Sequence, residues 1–435
     1  MASNTPASAQ GLSAAGEGLP SGRFILYPSV SLEYTDDSNV LYRSGDFPGT
    51  GVISSGVMAI RPRILVDLPL GESRIRWAYS PIYRDYTSSQ LTLPQHLSHD
   101  LYLEGLYKTA GALTLRIRDH FMRDVIQVQA VDPGGELTFG LEPFTVHEPQ
   151  VQADLALGAR QGLSVLPGYS SVHFDHESDA VFFDYETKSV EGRYNYKLDE
   201  PTTLFAFHRF EDFHQQRAQV YFGQLDFTGR TTGLALSRTL NQAIVASFSA
   251  GYEELRFQGG AGKDYSGPVL NVDTTWQLNE ITRFELNLRR QPFQSFFVNN
   301  NYYLNSLAGF RMVQQVGRRA FYEIRGSYED NAYSSPLDIR VTPSTPPGLD
   351  ANNDGNIDAF ESFLPSQGTQ RHDKLFKAGA GFGFQFLRTL RGFLGYNFER
   401  RRSNINEMIS STAGAVDPFS YSVSRVILRI EAGWM

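Results

Sequence analysis

The chain has 435 residues, a formal net charge of −8, no cysteine and 13% aromatic side chains. The acidic balance gives no reason to expect nucleic acid as a partner, and the lack of cysteine fits an oxidising envelope compartment where free thiols are a liability. No stretch approaches the roughly 20 consecutive apolar residues that a membrane-spanning helix needs. Length alone would suggest two or three soluble domains, but the pattern described below favours a single large β structure.

The first 20 residues differ in composition from the rest of the chain. They are mostly small or polar, and they lack the charged and then apolar segments that mark a secretory signal. The triplet Ala7-Ser8-Ala9 is similar to the small-residue end of a cleaved signal. We expect residues 1–20 to form a flexible periplasmic tail and residues 21–435 to form one β-barrel domain.

The first three predicted strands alternate apolar and polar residues. In the first strand, Val30, Leu32 and Tyr34 share one face, and Ser31 and Glu33 share the other. Such alternation predicts a strand with one apolar and one polar face, because successive side chains point to opposite sides. The second strand spans residues 52–67, and the third follows a tight turn at residues 69–72. The predicted outward residues of these two strands are Met58, Ile60, Ile64, Val66, Ile75, Trp77 and Tyr79.

Short turns and long polar loops alternate along the chain. The predicted short turns after the first are residues 109–111, 158–162, 199–201, 241–242, 279–280, 317–318 and 388–389. The predicted long loops are residues 36–50, 91–99, 124–149, 173–179, 212–217, 258–267, 295–301, 334–373 and 404–418. Bacterial outer-membrane barrels have short periplasmic turns and long extracellular loops. The alternation therefore predicts topology as well as fold class.

The C-terminal segment, residues 419–435, has the clearest alternation. Its predicted outward residues are Val426, Leu428, Ile430, Ala432 and Trp434. Counting hairpins predicts an all-β, transmembrane, antiparallel up-and-down β-barrel of about 18 strands in the outer membrane of a Gram-negative bacterium, with both termini periplasmic. The alternative is a soluble β-sandwich or propeller, whose loops would not alternate in length in this way.

Two segments fit the period of two poorly. They are residues 203–213 and residues 229–238. We expect a β-bulge in the second, because an extra residue in one strand shifts the side chains after it to the opposite face.

The predicted inner face is rich in charge. Seven arginines gather on neighbouring N-terminal strands: Arg61, Arg63, Arg74, Arg76, Arg84, Arg116 and Arg118. We name this group the arginine arc. Like charges opposite one another cost energy, and a group kept despite that cost predicts an electropositive stripe that binds anionic or hydroxyl-rich cargo. The alternative is that acids elsewhere in the chain neutralise it. Later strands interleave acids and bases, which predicts ladders that stiffen the wall: Glu191 with Arg193, Arg283 with Glu285 and Arg289, Glu323 with Arg325, Glu399 with Arg401, and Arg429 with Glu431.

The longest predicted loop contains a calcium-binding pattern. Residues 350–361 read DANNDGNIDAFE, with Gly355 at the position of the sharp turn. The predicted ligands are Asp350, Asn352, Asp354, Asn356 through its carbonyl, Asp358 and Glu361. The alternative is an Asn- and Asp-rich turn without an ion. Prolines precede the pattern instead of a helix, so it predicts a lone extracellular Ca²⁺ loop, with a dissociation constant on the order of 10⁻⁴–10⁻³ M.

Nothing in the sequence predicts an enzyme. Residues 173–177, HFDHE, could hold a transition metal, but loop clusters of this kind are more often simply solvated. No nucleophile elbow or glycine-rich phosphate loop accompanies them.

Two segments carry a family resemblance. Residues 28–40, PSVSLEYTDDSNV, and residues 286–290, LNLRR, resemble the β-barrel porin 2 family of outer-membrane proteins, which is associated with exopolysaccharide loci. The resemblance implies an exit pore for a secreted polysaccharide that works with periplasmic and inner-membrane export proteins. The calcium pattern is not part of the family pattern, which leaves a distinct role for the external surface open.

Three functions are consistent with the sequence. The first is export of an exopolysaccharide through a polar lumen, and the second is a general or anion-preferring diffusion porin. The third is a plugged barrel, embedded in outer-membrane lipid, that anchors or sheathes a surface structure or partner.

Overall fold

The computed structural model describes most of the chain. The described residues are 18–45, 52–91, 95–109, 111–125, 143–175, 184–215, 226–241, 243–258, 263–295, 300–336, 363–365, 369–405, 408–410, 414–416 and 419–433. Among them, no helix is long and apolar enough to cross a membrane.

The described residues form 23 strands. The first eleven are β1 (Leu19–Ser21), β2 (Phe24–Asp37), β3 (Ser55–Leu70), β4 (Ser73–Tyr86), β5 (Gln95–Lys108), β6 (Leu113–Val125), β7 (Pro143–His147), β8 (Gln150–Ala156), β9 (Gln161–Phe174), β10 (Tyr185–Asp199) and β11 (Thr202–Gln215). The others are β12 (Phe227–Asn241), β13 (Ile244–Phe257), β14 (Tyr265–Asn279), β15 (Thr282–Gln294), β16 (Tyr302–Val316), β17 (Ala320–Pro336), β18 (Phe363–Pro365), β19 (Gln370–Leu387), β20 (Leu390–Ser403), β21 (Met408–Ser410), β22 (Gly414–Val416) and β23 (Tyr421–Gly433).

The strands close into an antiparallel barrel. β2 pairs with β3 on one side and with β23 on the other, from Ser29↔Gly433 to Asp37↔Arg425, so the sheet has no free edge. β7 and β8 follow one another between β6 and β9 and together serve as one wall strand. β1 pairs antiparallel with the beginning of β2, and β18, β21 and β22 form a separate small sheet. The wall therefore has 18 strands, which confirms the predicted fold class and strand number.

Short and long connections lie at opposite ends of the barrel. The short ones are residues 71–72, 109–112, 157–160, 200–201, 242–243, 280–281, 317–319 and 388–389. Gly71 and Gly317 have φ values of +67° and +64°, a conformation that glycine adopts without strain. β2 begins and β23 ends at this same end. The connection between β17 and β19 spans residues 337–369, slightly less than the predicted 334–373, because strand pairing continues to Pro336 and resumes at Gln370.

The outer face is apolar and the inner face is mostly polar, as the alternation predicts. Large apolar side chains such as Leu394, Leu428 and Phe376 are half-exposed on the outside. On β19 the apolar outer residues run from Phe386 to Phe376. Ten residues at a rise of roughly 3.3 Å and a tilt of roughly 40° give a height of roughly 25 Å, which matches the apolar band of a membrane barrel.

The bulge predicted within residues 229–238 is wrong. β11 and β12 pair without interruption from Thr202↔Arg238 to Phe213↔Phe227, and the nearest irregularity in β12 lies at the turn, between Thr239 and Asn241. The sequence period appears broken there for two reasons. From Gly229 to Ser237 the inner face of β12 carries only small residues, and the outer face carries two arginines, Arg230 and Arg238, on either side of Leu234 and Leu236.

A hydrophobic core lies inside the barrel, at the end with the long connections. Its buried members line β7, β9–β14 and pack through stacked and tilted rings such as Phe213 and Phe227, whose centroids are 4.9 Å apart. The cluster comprises Phe144, Val146, Val172, Phe174, Tyr185, Phe213, Phe227, Leu255, Tyr265 and Val269. Apolar residues therefore occur on both faces at this end, which strand alternation alone does not reveal.

Candidate functional site: the charged inner wall

All seven arginines of the predicted arc lie on the inner faces of β3, β4 and β6. β5 runs between β4 and β6 and places Glu104 opposite both Arg76 and Arg118. Arg61 stands opposite Ser31, and Arg63 opposite Ser29. The arc is thus interleaved with acidic and hydroxyl side chains, and the like-charge contacts expected from the sequence are avoided by the strand order.

Four arginines of the arc form ion pairs. Asp67 accepts a hydrogen bond from Nε of Arg74 at 2.6 Å, and its carboxylate lies 3.9 Å from Nε of Arg76. Arg84 is buried and donates to Asp124 and to the hydroxyl of Ser98, both at 2.6 Å. Arg116 pairs with Asp154. These partners are acids of the wall strands themselves.

Two arginines of the arc remain turned to the lumen. Among the described residues, Arg61 and Arg118 form no ion pair, and both side chains are exposed. They lie in the half of the wall where neighbouring charges are balanced by Asp67, Asp124 and Asp154. A mobile anion in the lumen can therefore meet these two guanidinium groups without displacing a protein carboxylate.

A second arginine group, which the sequence did not reveal, is buried on β19 and β20, across the closing seam from the arc. Asp373 accepts hydrogen bonds from Nη2 of Arg371 at 2.6 Å and from Nη2 of Arg401 at 2.5 Å. The guanidinium of Arg371 lies 4.4 Å from the ring centre of Tyr333 and 3.7 Å from that of Phe419. Both arginines are at most 2% exposed and Asp373 is fully buried. We name these five residues the Asp373 cluster.

The predicted ladders of opposite charge are formed in part. Glu191 pairs with Arg193, Glu285 lies 2.8 Å from Arg283, and Glu323 lies 4.0 Å from Arg325. Of the other predicted charges, Arg401, Arg429 and Glu431 form their ion pairs across neighbouring strands instead of within their own strand. Arg401 binds Asp373 and Glu399 accepts from Tyr421, while Arg429 pairs with Glu33 across the closing seam and Glu431 with Arg391.

A cavity of about 560 Å³ runs along the inner face of β14–β17, β19, β20 and β23. Its wall carries both signs of charge, and ion pairs hold several of these groups in place, including Arg311 with Glu323 at 2.6 Å and Lys377 with Glu329 at 3.0 Å. The charged lining residues are Asp273, Glu285, Arg311, Arg325, Lys377, Glu399 and Arg425. The lumen at this level is polar, charged and large enough for small hydrophilic solutes.

Tyr42, which follows β2, contacts Arg425 at one edge of this cavity. Tyr42 lies with its ring 4.8 Å from the guanidinium of Arg425, which in turn donates to Asp37 at 2.6 Å. Burial raises the pKa of the Tyr42 hydroxyl, and the positive charge of Arg425 partly opposes that effect. Tyr42 therefore stays neutral and covers an inner-wall arginine.

Histidines at the loop ends belong to repeated strand-end contacts. The ring of His214 contacts Asp226 at 2.8 Å, and the same carboxylate accepts the backbone N–H of Gln215 at 2.9 Å. His173 contacts Asp184 in the same way, and Asp184 accepts the N–H of Phe174. No group of three or more side chains able to hold a metal occurs within the described ranges.

The predicted calcium ligands, Asp350, Asn352, Asp354, Asn356, Asp358 and Glu361, lie outside the described residues, as do His176 and Glu177. Of the predicted tail, residues 1–17 lie outside them too. Leu19 and Pro20 belong to β1, which pairs with the beginning of β2 through Leu19↔Leu26.

Closure, an apolar exterior and a charged interior define the class: a membrane-spanning β-barrel with a polar lumen. Among solved structures, the chain is similar to the outer membrane protein OpdK of Pseudomonas aeruginosa, at 11% identity and a TM-score of 0.47, over 94% of this chain and 99% of that one. It is also similar to Acinetobacter baumannii OccAB2 (11%, TM-score 0.47, 95% and 100%) and to the P. aeruginosa siderophore receptor PirA (9%, TM-score 0.44, 96% and 81%). No family model and no curated protein matches the chain.

Proposed function

We propose that the protein is an outer-membrane channel for diffusion of small hydrophilic solutes, with a preference for anions. The observation that carries this proposal is the closed 18-strand wall whose interior presents charged side chains around a cavity of about 560 Å³. Barrels of this strand number leave an aqueous channel. In the proposed orientation both termini and the short turns are periplasmic, and the long connections face the exterior.

The anion preference is assigned to Arg61 and Arg118. Most other inner-wall charges that the structure describes on β3–β6 have an ionic partner, so their fields largely cancel. A charged lining with low-dielectric walls focuses the potential in the lumen, and two exposed guanidinium groups raise the local concentration of anions. Their fixed fork of donors also suits carboxylate and phosphate groups.

Planar-bilayer recording of the refolded full chain tests the proposal. We expect discrete single-channel steps, and a reversal potential of anion-selective sign in a tenfold KCl gradient. A chain that inserts and is heat-modifiable on gels, yet gives no current above the bare bilayer, would be a plugged barrel. That result would overturn the channel assignment.

Polymer block separates diffusion from polysaccharide export, the role implied by the resemblance to β-barrel porin 2 proteins. A diffusion channel passes chloride and small carboxylates and is not blocked at micromolar concentration by a long anionic polysaccharide. Sustained block by the polymer, followed by its recovery on the opposite side of the bilayer, would favour export and its periplasmic partners.

We propose in addition that residues 350–361 form a calcium site in the extracellular connection, as the twelve-residue pattern indicates. Calorimetric titration of the purified barrel with Ca²⁺ should show one site with a dissociation constant on the order of 10⁻⁴–10⁻³ M. Asp354→Ala should abolish that heat, whereas Asp358→Asn should weaken binding less, because the ninth position often acts through water. Equal titration curves for wild type and D354A would contradict the site.

A further inference from the structure

Three basic side chains stand together on the outer face of β19 and β20. Lys374, Arg400 and Arg402 are exposed, while the alternating inner positions Asp373, Leu375 and Arg401 are at most 2% exposed. Lys374 lies directly opposite Arg402, and Arg400 lies opposite Phe376. The three positive groups therefore share one patch of the surface that faces the membrane.

Within the described part of the chain, the three basic groups of this patch form no ion pair. Asp330 lies opposite Lys374 on β17, but neither it nor another acid among the described residues comes within ion-pairing distance of the three basic groups. Two like charges directly opposite each other on a sheet are destabilising. Elsewhere on the outer face Arg256 pairs with Glu254 at 3.5 Å, and Arg290 donates to the hydroxyl of Ser306 at 3.0 Å.

The height of the patch places it at the level of lipid head groups. Below it on the same strands lie the apolar outer residues Phe376, Phe398 and Tyr396, and the rings of Phe376 and Phe398 are 6.5 Å apart. Lys374, Arg400 and Arg402 lie on the side of this band toward the long connections. With the orientation proposed above, that side is the outer leaflet of the outer membrane.

We propose that this patch, named the basic rim patch, binds the phosphorylated head group of an outer-leaflet glycolipid of the lipid A type. Two guanidinium groups and an ammonium match a phosphate in charge and in donor geometry. The acyl chains of the same lipid pack on the aromatic residues beneath. An anion held there offsets the repulsion between Lys374 and Arg402, and it ties the β19–β20 hairpin to one lipid.

The test is lipid binding to the refolded full chain in detergent, measured by native mass spectrometry with bisphosphorylated lipid A. The triple variant Lys374→Gln, Arg400→Gln and Arg402→Gln should lose about tenfold or more in affinity, since charge-assisted contacts to phosphate are lost. The matched control is Arg230→Gln, Arg256→Gln and Arg290→Gln, which removes the same outer-face charge on other strands and should bind like wild type. Both variants are first shown to be heat-modifiable on gels, as folded barrels are.

Three outcomes would overturn the proposal. The first is equal lipid A binding by wild type and the triple variant. The second is that wild type binds intact lipid A and lipid A without its two phosphates equally well. The third is that inorganic phosphate binds as tightly as the lipid. The proposal shares its membrane orientation with the channel function but not its test. Loss of lipid binding leaves bilayer conductance intact, and absence of conductance leaves the lipid titration unaffected.

Discussion

The arginine arc and the Asp373 cluster place the same side chain in two different environments. In the arc, Arg61 and Arg118 are exposed to the lumen, and Arg74, Arg76, Arg84 and Arg116 pair with acids of nearby wall strands. In the cluster, Arg371 and Arg401 share a single carboxylate, and Arg371 packs against the rings of Tyr333 and Phe419. An exposed arginine contributes little to stability and shapes the potential of the lumen, whereas a buried one depends on its partners.

The largest loss of stability that we expect follows substitution of Asp373. Asp373→Asn leaves two buried guanidinium groups without their carboxylate, and we expect a loss of about 3–5 kcal/mol in the free energy of unfolding. The measurement is urea unfolding of the barrel refolded in lipid vesicles. Asp154→Asn, which removes the partly exposed partner of Arg116, is the matched control and should cost about 0–1 kcal/mol. Equal losses in the two variants would show that burial does not separate the two regions.

A second prediction concerns the one deeply buried member of the arc. Arg84→Gln removes the donor that serves both Asp124 and Ser98, and we expect a loss of about 2–4 kcal/mol because a buried carboxylate loses its ionic partner. Arg61→Gln, on the neighbouring strand, should stay within about 0.5 kcal/mol of wild type. The same unfolding assay decides between them, and an unaffected R84Q would place Arg84 with the solvated arginines.

A third prediction concerns ion selectivity. Reversing the charge of both exposed members, with Arg61→Glu and Arg118→Glu, should lower the anion-to-cation permeability ratio by roughly threefold, because the potential in the lumen changes sign locally. The reversal potential in a KCl gradient measures the ratio. The control Arg230→Glu and Arg256→Glu makes the same change in net charge on the outer face and should leave the ratio unchanged. If both double variants shift it equally, net charge rather than position sets the preference.

The smallest predicted effect is that of salt. Raising KCl from about 0.1 M to about 1 M shortens the Debye length from about 10 Å to about 3 Å, so the anion preference should fall toward unity. The cost of Asp373→Asn should change little over the same range, since buried charges are screened much less. A salt-independent preference would mean that direct binding, and not the field of the arc, selects the anion.

Strand positions and facing were predictable because side-chain alternation is local. Most of the outward residues predicted on β2, β3, β4 and β23 are exposed on the outside, although Val66 is buried and Trp434 lies outside the described residues. The alternation of connection lengths predicted the correct number of wall strands. The prediction failed on β12, where small inner residues and outer arginines reduce the contrast between the faces. It also treated residues up to Asp373 as loop, which hid the Arg371-His372-Asp373 alternation of the buried cluster.

The partners of the charged residues were not predictable, because they depend on register and closure. Arg84 finds Asp124 two strands away, and Arg429 finds Glu33 only because the last strand meets β2 at the seam. The sequence by itself determined which side chains face lipid and which face the lumen, since a period of two needs no distant contact. Only the tertiary structure decided which inner arginines are buried and paired and which two remain open to solutes, because those contacts exist only once the sheet has closed.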